Sequence, residues 1–164
     1  MTFLYRVKQF FWSMDTRIGK EDMEYVERNL EEKEYKLFSR LSKQEKKHSI
    51  KVARDVDSEC SREGTCAGEM TKIALLHDIG KLKGRLNSID KSVLVIADKV
   101  SKGRIRSLGL KKVDVYFNHG LMGSELLRDC GLSERELFLI ENHHNHLIEG
   151  DKELNILMRC DSRN

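Results

Sequence analysis

Ile73-Ala-Leu-Leu-His-Asp-Ile-Gly-Lys81 is an apolar helical stretch that ends on a histidine beside an aspartate. Leu75 and Leu76 before the pair and Ile79 after it place both polar side chains at least partly inside the protein. Burying an imidazole or a carboxylate without a partner is costly. Both groups are ligands for divalent transition metals such as Fe, Mn, Co, Ni and Zn. A metal ion is therefore the economical partner for His77 and Asp78.

Helical periodicity continues on both sides of this stretch, and strand-like alternation is nearly absent from the chain of 164 residues, which has no proline. The expected fold is all-α, a compact helical bundle. Ser42-Lys-Gln-Glu45 and Ser133-Glu-Arg-Glu136 are capping boxes: the serine accepts from the third helical amide, and the glutamate reaches back to the serine's own amide. The first box opens a helix to about 59 that carries His48 beside Ile50, Val52, Ala53 and Val56. A turn with Gly64 is expected over 61–65, then a helix over 66–79 that Gly80 stops. Further helices are expected over 90–101, 111–117, 121–130, 133–145 and 151–161. Residues 20–30 and 31–41 read as two helices or one continuous one, and 3–13 as another. Residues 1–41 thus form an N-terminal helical extension packed on a bundle made by 42–164.

Composition narrows the function. Charged residues are 35% and hydrophobic residues 39% of the chain, and no apolar run is long enough to span a membrane. The first residues lack the features of a signal peptide. Thirty basic against 27 acidic side chains give a net charge of +3, too balanced for a nucleic-acid coat. Cys60, Cys66, Cys130 and Cys160 show no CxxC spacing, which argues against a zinc knuckle and for a reduced, cytoplasmic setting. Phe3, Leu4, Tyr5, Val7, Phe10, Phe11 and Trp12 crowd one short segment. Three readings of residues 3–12 stand: a cover for the bundle, a docking surface for a protein partner, or a peripheral membrane contact.

The other metal-ligand candidates are spread along the chain. His48 lies upstream of the His-Asp pair; His119, His143-His144 and Asp161 lie downstream. On these residues the chain resembles the HD-domain superfamily of metal-dependent phosphohydrolases, over roughly residues 42–164. The family's H…HD…D pattern maps onto His48, His77-Asp78 and Asp161. The histidine and His-His pair of its two-metal members map onto His119 and His143-His144. The resemblance implies two divalent transition-metal ions per chain. Asp78 would bridge them, and His48, His77 and Asp161 would complete the first shell. Gln44 stands where three-metal members carry an acidic ligand, and Asn145-His-Leu-Ile-Glu-Gly150 lacks the Gly-Tyr-Pro of cyclic-di-GMP phosphodiesterases. His146 reads as a loop residue.

The implied activity is hydrolysis of a phosphomonoester or phosphodiester in a nucleotide or similar small phosphate compound, by a water that the metal acidifies. Asp78 and Lys81 are the catalytic candidates. Lys81 reads either as a phosphate contact or as a cation favoured at a helix C-terminus. Lys81, Arg104 and Arg106 are the substrate-binding candidates, the arginines belonging to a basic rim with Lys99 and Lys102. Two other classes stand beside this one: a non-catalytic signalling or scaffold module, and a di-iron oxygenase.

Overall fold

Ser42 starts the longest of the described helices because its hydroxyl accepts from the Glu45 amide at 3.2 Å while the Glu45 carboxylate accepts from the Ser42 amide at 2.9 Å. The computed structural model describes residues 17–64, 67–84, 94, 101, 104–105 and 109–164. Among these are seven α-helices and no strand: α1 (Lys20–Asn29), α2 (Glu32–Phe38), α3 (Lys43–Glu63), α4 (Ala67–Leu76), α5 (Lys111–Leu127), α6 (Glu134–Asn142) and α7 (Lys152–Arg163). Short 3-10 segments follow α4 (Ile79–Lys83) and α5 (Arg128–Cys130). None of the described helices is long and apolar enough to cross a membrane.

The apolar faces meet in one core. Val56 of α3, Leu75 and Leu76 of α4, Ile140 of α6 and Leu157 of α7 are buried there with Val26 and Phe38 from α1 and α2. Each fully buried side chain of this size contributes about 1.5–3 kcal/mol. Helix α3 lies along α4 and against α7, whereas α5 packs on the first 3-10 segment and on α6. Helices α1 and α2 pack on α4. A smaller apolar cluster gathers Leu94, Val113 and Val115, with Tyr116 and Phe117 packed against it.

Several boundaries differ from those expected. Leu30 is extended (φ −122°, ψ 138°), which separates α1 from α2. Helix α3 runs on through 60–63, because Gly64 caps it in the left-handed conformation at φ 67°. Helix α4 ends at Leu76, earlier than Gly80, and the chain tightens into 3-10 geometry. Residues 111–127 form one helix where two were expected, so His119 and Gly120 lie in its interior. The expected helices over 3–13 and 90–101, the aromatic segment 3–12, and Lys99, Lys102, Arg106 and Cys66 lie outside the described residues, except that Leu94 is described and buried.

Candidate metal centre

The turn that carries His77 and Asp78 owes its place to a glycine. A Cβ on Gly80 would stand 1.9 Å from the His119 carbonyl oxygen and 2.7 Å from the Gly123 amide. Only glycine lets the 3-10 segment lie this close to the α5 backbone. Gly120 does the same on the other side of α5, where a Cβ would stand 2.3 Å from the Glu141 carbonyl oxygen. Two glycines thus bring the His-Asp turn, the middle of α5 and the end of α6 within side-chain reach of one another. The expected role of Gly80 as a helix stop is replaced by this close approach.

His77, His119 and His143 share one local device. Each ring donates from Nδ1 to the carbonyl three residues earlier: to Ala74 at 2.7 Å, Tyr116 at 2.9 Å and Ile140 at 2.6 Å. A carbonyl oxygen can only accept, so the proton is on Nδ1 and the Nε2 lone pair points inward. Metal-ligating histidines are oriented by this kind of bond. The Nε2 atoms of His119 and His143 then face each other at 3.2 Å. Two lone pairs at that distance repel unless a cation or proton answers them. The buried Nε2 of His77 has no hydrogen-bond partner.

Asp78 sits between two sets of ligands. Its Oδ2 is 3.5 Å from His77 Nε2 and 3.7 Å from His48 Nε2. Its Oδ1 is 3.2 Å from His119 Nε2 and 3.9 Å from His143 Nε2. Asp161, on α7, closes the first set at 2.9 Å from His48 and 3.5 Å from His77. His144 stands beside the second, its Nδ1 3.8 Å from Asp161 Oδ2. Three groups have ligand atoms within 4.8 Å of one another: His48 with His77 and Asp78; His77 with His143 and Asp161; and His119 with His143 and His144. Imidazole nitrogens and carboxylate oxygens in this number suit a divalent transition metal, and the inward, partnerless donor atoms fit such an ion.

The electrostatics follow from burial among these charges. Burial alone would raise Asp78, but Lys81, His77 and His119 overcome it and hold the carboxyl well below the usual range. Burial would lower His77, yet Asp78 and Asp161 raise it, so a proton competes with a metal for its Nε2. Burial, reinforced by the neighbouring imidazoles of His77, His144 and His119, keeps His143 well below the ordinary histidine value. His144 is half exposed, and desolvation of its ring among the neighbouring groups pushes it down to about 4.

Lys81 is buried and donates to Asp78 Oδ2. The i, i+3 spacing explains the pair, since side chains three apart eclipse in a 3-10 helix. Burial opposes the charge on Lys81, and the carboxylates of Asp78, Asp161 and Glu45 sustain it. Lys81 lines a cavity of about 740 Å³ with His48, His119, His144 and Asp161. Arg104 is exposed and is not brought to that wall. His146 is exposed on the loop after α6.

Sequence reasoning missed two contributors. One is Gly120, whose signal was the Gly120-Leu-Met-Gly123 spacing inside an otherwise helical pattern. The other is Glu45. Beyond its capping role it is buried, and its Oε1 has no hydrogen-bond partner.

A family model described as HD domain matches residues 46–163, most of the chain. No curated protein and no solved structure matches it.

Proposed function

Because the chain belongs to the HD-domain family, we propose that it is a metal-dependent phosphohydrolase that cleaves a phosphomonoester or phosphodiester bond of a nucleotide or similar small phosphate compound. The observation that carries this reading is the division of Asp78, with Oδ2 toward His48 and His77 and Oδ1 toward His119 and His143. A single structural ion would leave one of these faces without purpose. In the proposed arrangement His48, His77, Asp78 and Asp161 would hold one divalent ion. His119, His143 and His144 would hold a second with Asp78.

Divalent ions held there would acidify a water and offset charge on a phosphoryl oxygen. The chain's own residues do the rest. The Nδ1–carbonyl bonds lock three imidazoles before substrate arrives, so no reorganisation of those rings is needed in the transition state. Lys81 places an ammonium in the cavity wall, next to where a phosphoryl group would meet the centre, and would bind one of its oxygens. Arg104 and Arg106 enter this reading on charge alone. The cysteine usage favours a cytoplasmic setting.

The test is to load the purified protein with Mn, Fe, Co, Ni or Zn and assay a panel of phosphomonoesters and phosphodiesters. Two ions per chain by elemental analysis, with metal-dependent release of phosphate or an alcohol, is the expected result. Protein that cannot be loaded, or loaded protein that turns over no phosphate ester, overturns the proposal.

A further inference from the structure

The cavity beside the metal centre changes character along α5. Lys81 and Asp161 give it a charged lining beside the His144 imidazole, whereas Val113, Tyr116 and Phe117 give it an apolar one. The apolar residues lie on the turns of α5 just before His119. At 1.5 Å per residue they lie about 3 to 9 Å from it along the helix axis, within the span of a nucleoside phosphate from phosphorus to base. The Tyr116 and Phe117 rings meet edge to face, with centroids 4.9 Å apart and planes at 88°. A flat ligand stacked on one ring presents its edge to the face of the other. Beside them Asn118 donates to Asp114 Oδ1 at 2.6 Å, and both residues line the same cavity.

We propose that this face of α5 is a nucleobase subsite, with Tyr116 and Phe117 supplying the flat wall and the Asp114–Asn118 pair reading the edge of the base. The inference rests on the phosphohydrolase reading and names its substrate class as nucleoside phosphates. A charged end joined to an aromatic wall suits a ligand with a phosphate at one end and a planar apolar group at the other. Inorganic pyrophosphate and sugar phosphates would leave the aromatic wall unused. An acyl chain would leave Asp114 unmatched within an apolar contact. After Asn118 donates to Asp114, the pair still offers the amide oxygen and the second carboxylate oxygen as acceptors and the second amide N–H as a donor. That suits a base edge that presents an N–H group beside an acceptor.

The experiment compares the metal-loaded full chain on adenosine, guanosine, cytidine and uridine 5′-monophosphates with ribose 5-phosphate, which has the same phosphate and sugar but no base. Base stacking predicts kcat/KM at least about tenfold higher for the nucleotides. Tyr116→Leu and Phe117→Leu keep apolar bulk against the neighbouring cluster and remove the ring. Each should reduce that nucleotide-to-ribose ratio by about tenfold. Equal turnover of ribose 5-phosphate and nucleotides overturns the subsite while leaving the hydrolase reading intact. A nucleotide preference that both leucine variants retain also overturns it. If no ester is cleaved, the hydrolase reading fails, and calorimetric binding of the same compounds to the metal-loaded protein decides the subsite. Tighter binding with a base, lost in Phe117→Leu, supports it; equal affinities sink it.

Discussion

Glu59 and Asp78 are both carboxylates that the bundle buries, at 6% and 1% exposure, yet they are satisfied in opposite ways. Glu59 is surrounded by the protein's own cations. Its Oε2 accepts from Arg62 at 2.6 Å and Arg159 at 3.0 Å, and its Oε1 from Arg163 at 3.1 Å. Asp78 has Lys81 on one oxygen and inward-facing imidazole nitrogens around both. Its Oδ1 has no hydrogen-bond donor. The chain therefore can complete a buried carboxylate with arginines, and at Asp78 it supplies one ammonium, on Oδ2, and imidazole lone pairs around the rest. A buried acid with one oxygen unanswered among lone pairs is arranged for a cation from outside the chain.

The largest expected effect is at the open side of this contrast. Asp78→Ala should abolish loading of both ions and lower turnover by more than about a hundredfold, because even partners one step removed from a metal cost 10–100-fold when lost. Elemental analysis and steady-state kinetics read both. A variant that stays loaded and active would make Asp78 another Glu59.

Gly80→Ala tests whether the centre depends on backbone proximity. The new Cβ cannot coexist with the His119 carbonyl at 1.9 Å, so the 3-10 segment or α5 must move. Stability should fall by about 3 kcal/mol in urea unfolding, with loss of metal. Unchanged stability would mean that the segments are not held this close.

His119→Ala sharpens the division between the two faces of Asp78. It should leave one ion bound, weaken the second and lower kcat more than it raises KM, since in the proposed arrangement a second ion would act chiefly in the transition state. Titration that finds a single ion in the native chain would remove the two-ion arrangement.

The smallest effect belongs to the closed side. Glu59→Gln should leave metal content unchanged and lower the melting midpoint by no more than a few degrees. Although burial opposes it, Arg163, Arg62 and Arg159 hold Glu59 below its ordinary value of 4.5. A depressed folded value stabilises above the unfolded one. The difference between native and variant should therefore be full near neutral pH and vanish as pH falls through the depressed value. Melting curves at neutral pH and near pH 3 check this; loss of metal in the variant would break the contrast.

Much of the fold was legible because its signals are local. Ser42 with Glu45 and Ser133 with Glu136 form the reciprocal bonds that their spacing demands. The dominance of helical periodicity gave the all-α class. The stop expected at Gly80 falls earlier, at Leu76, and no break separates 117 from 121. Glycine punctuates a helix by default, and here it is chosen by a neighbouring backbone in the folded state. The candidate ligands were visible as residue types in order. That Asp78 points one oxygen at each set, and that three rings are pinned by carbonyls three residues back, depends on how the helices cross. Tyr116 and Phe117 carried no sequence mark that separated a cavity wall from ordinary core.

The bond from His48 to Asp161 joins residues 113 positions apart, whereas His119 and His143 are 24 apart. The two halves of the centre are therefore expected to form at different stages of folding. The α5–α6 half needs only a short loop to close, and the other needs α3 and α7 to find each other across most of the chain. Refolding followed by pulsed hydrogen exchange should show α5 and α6 protected before α7. A chain still lacking α7 would present only half a cage, so an ion captured early could leave again before the second half locks.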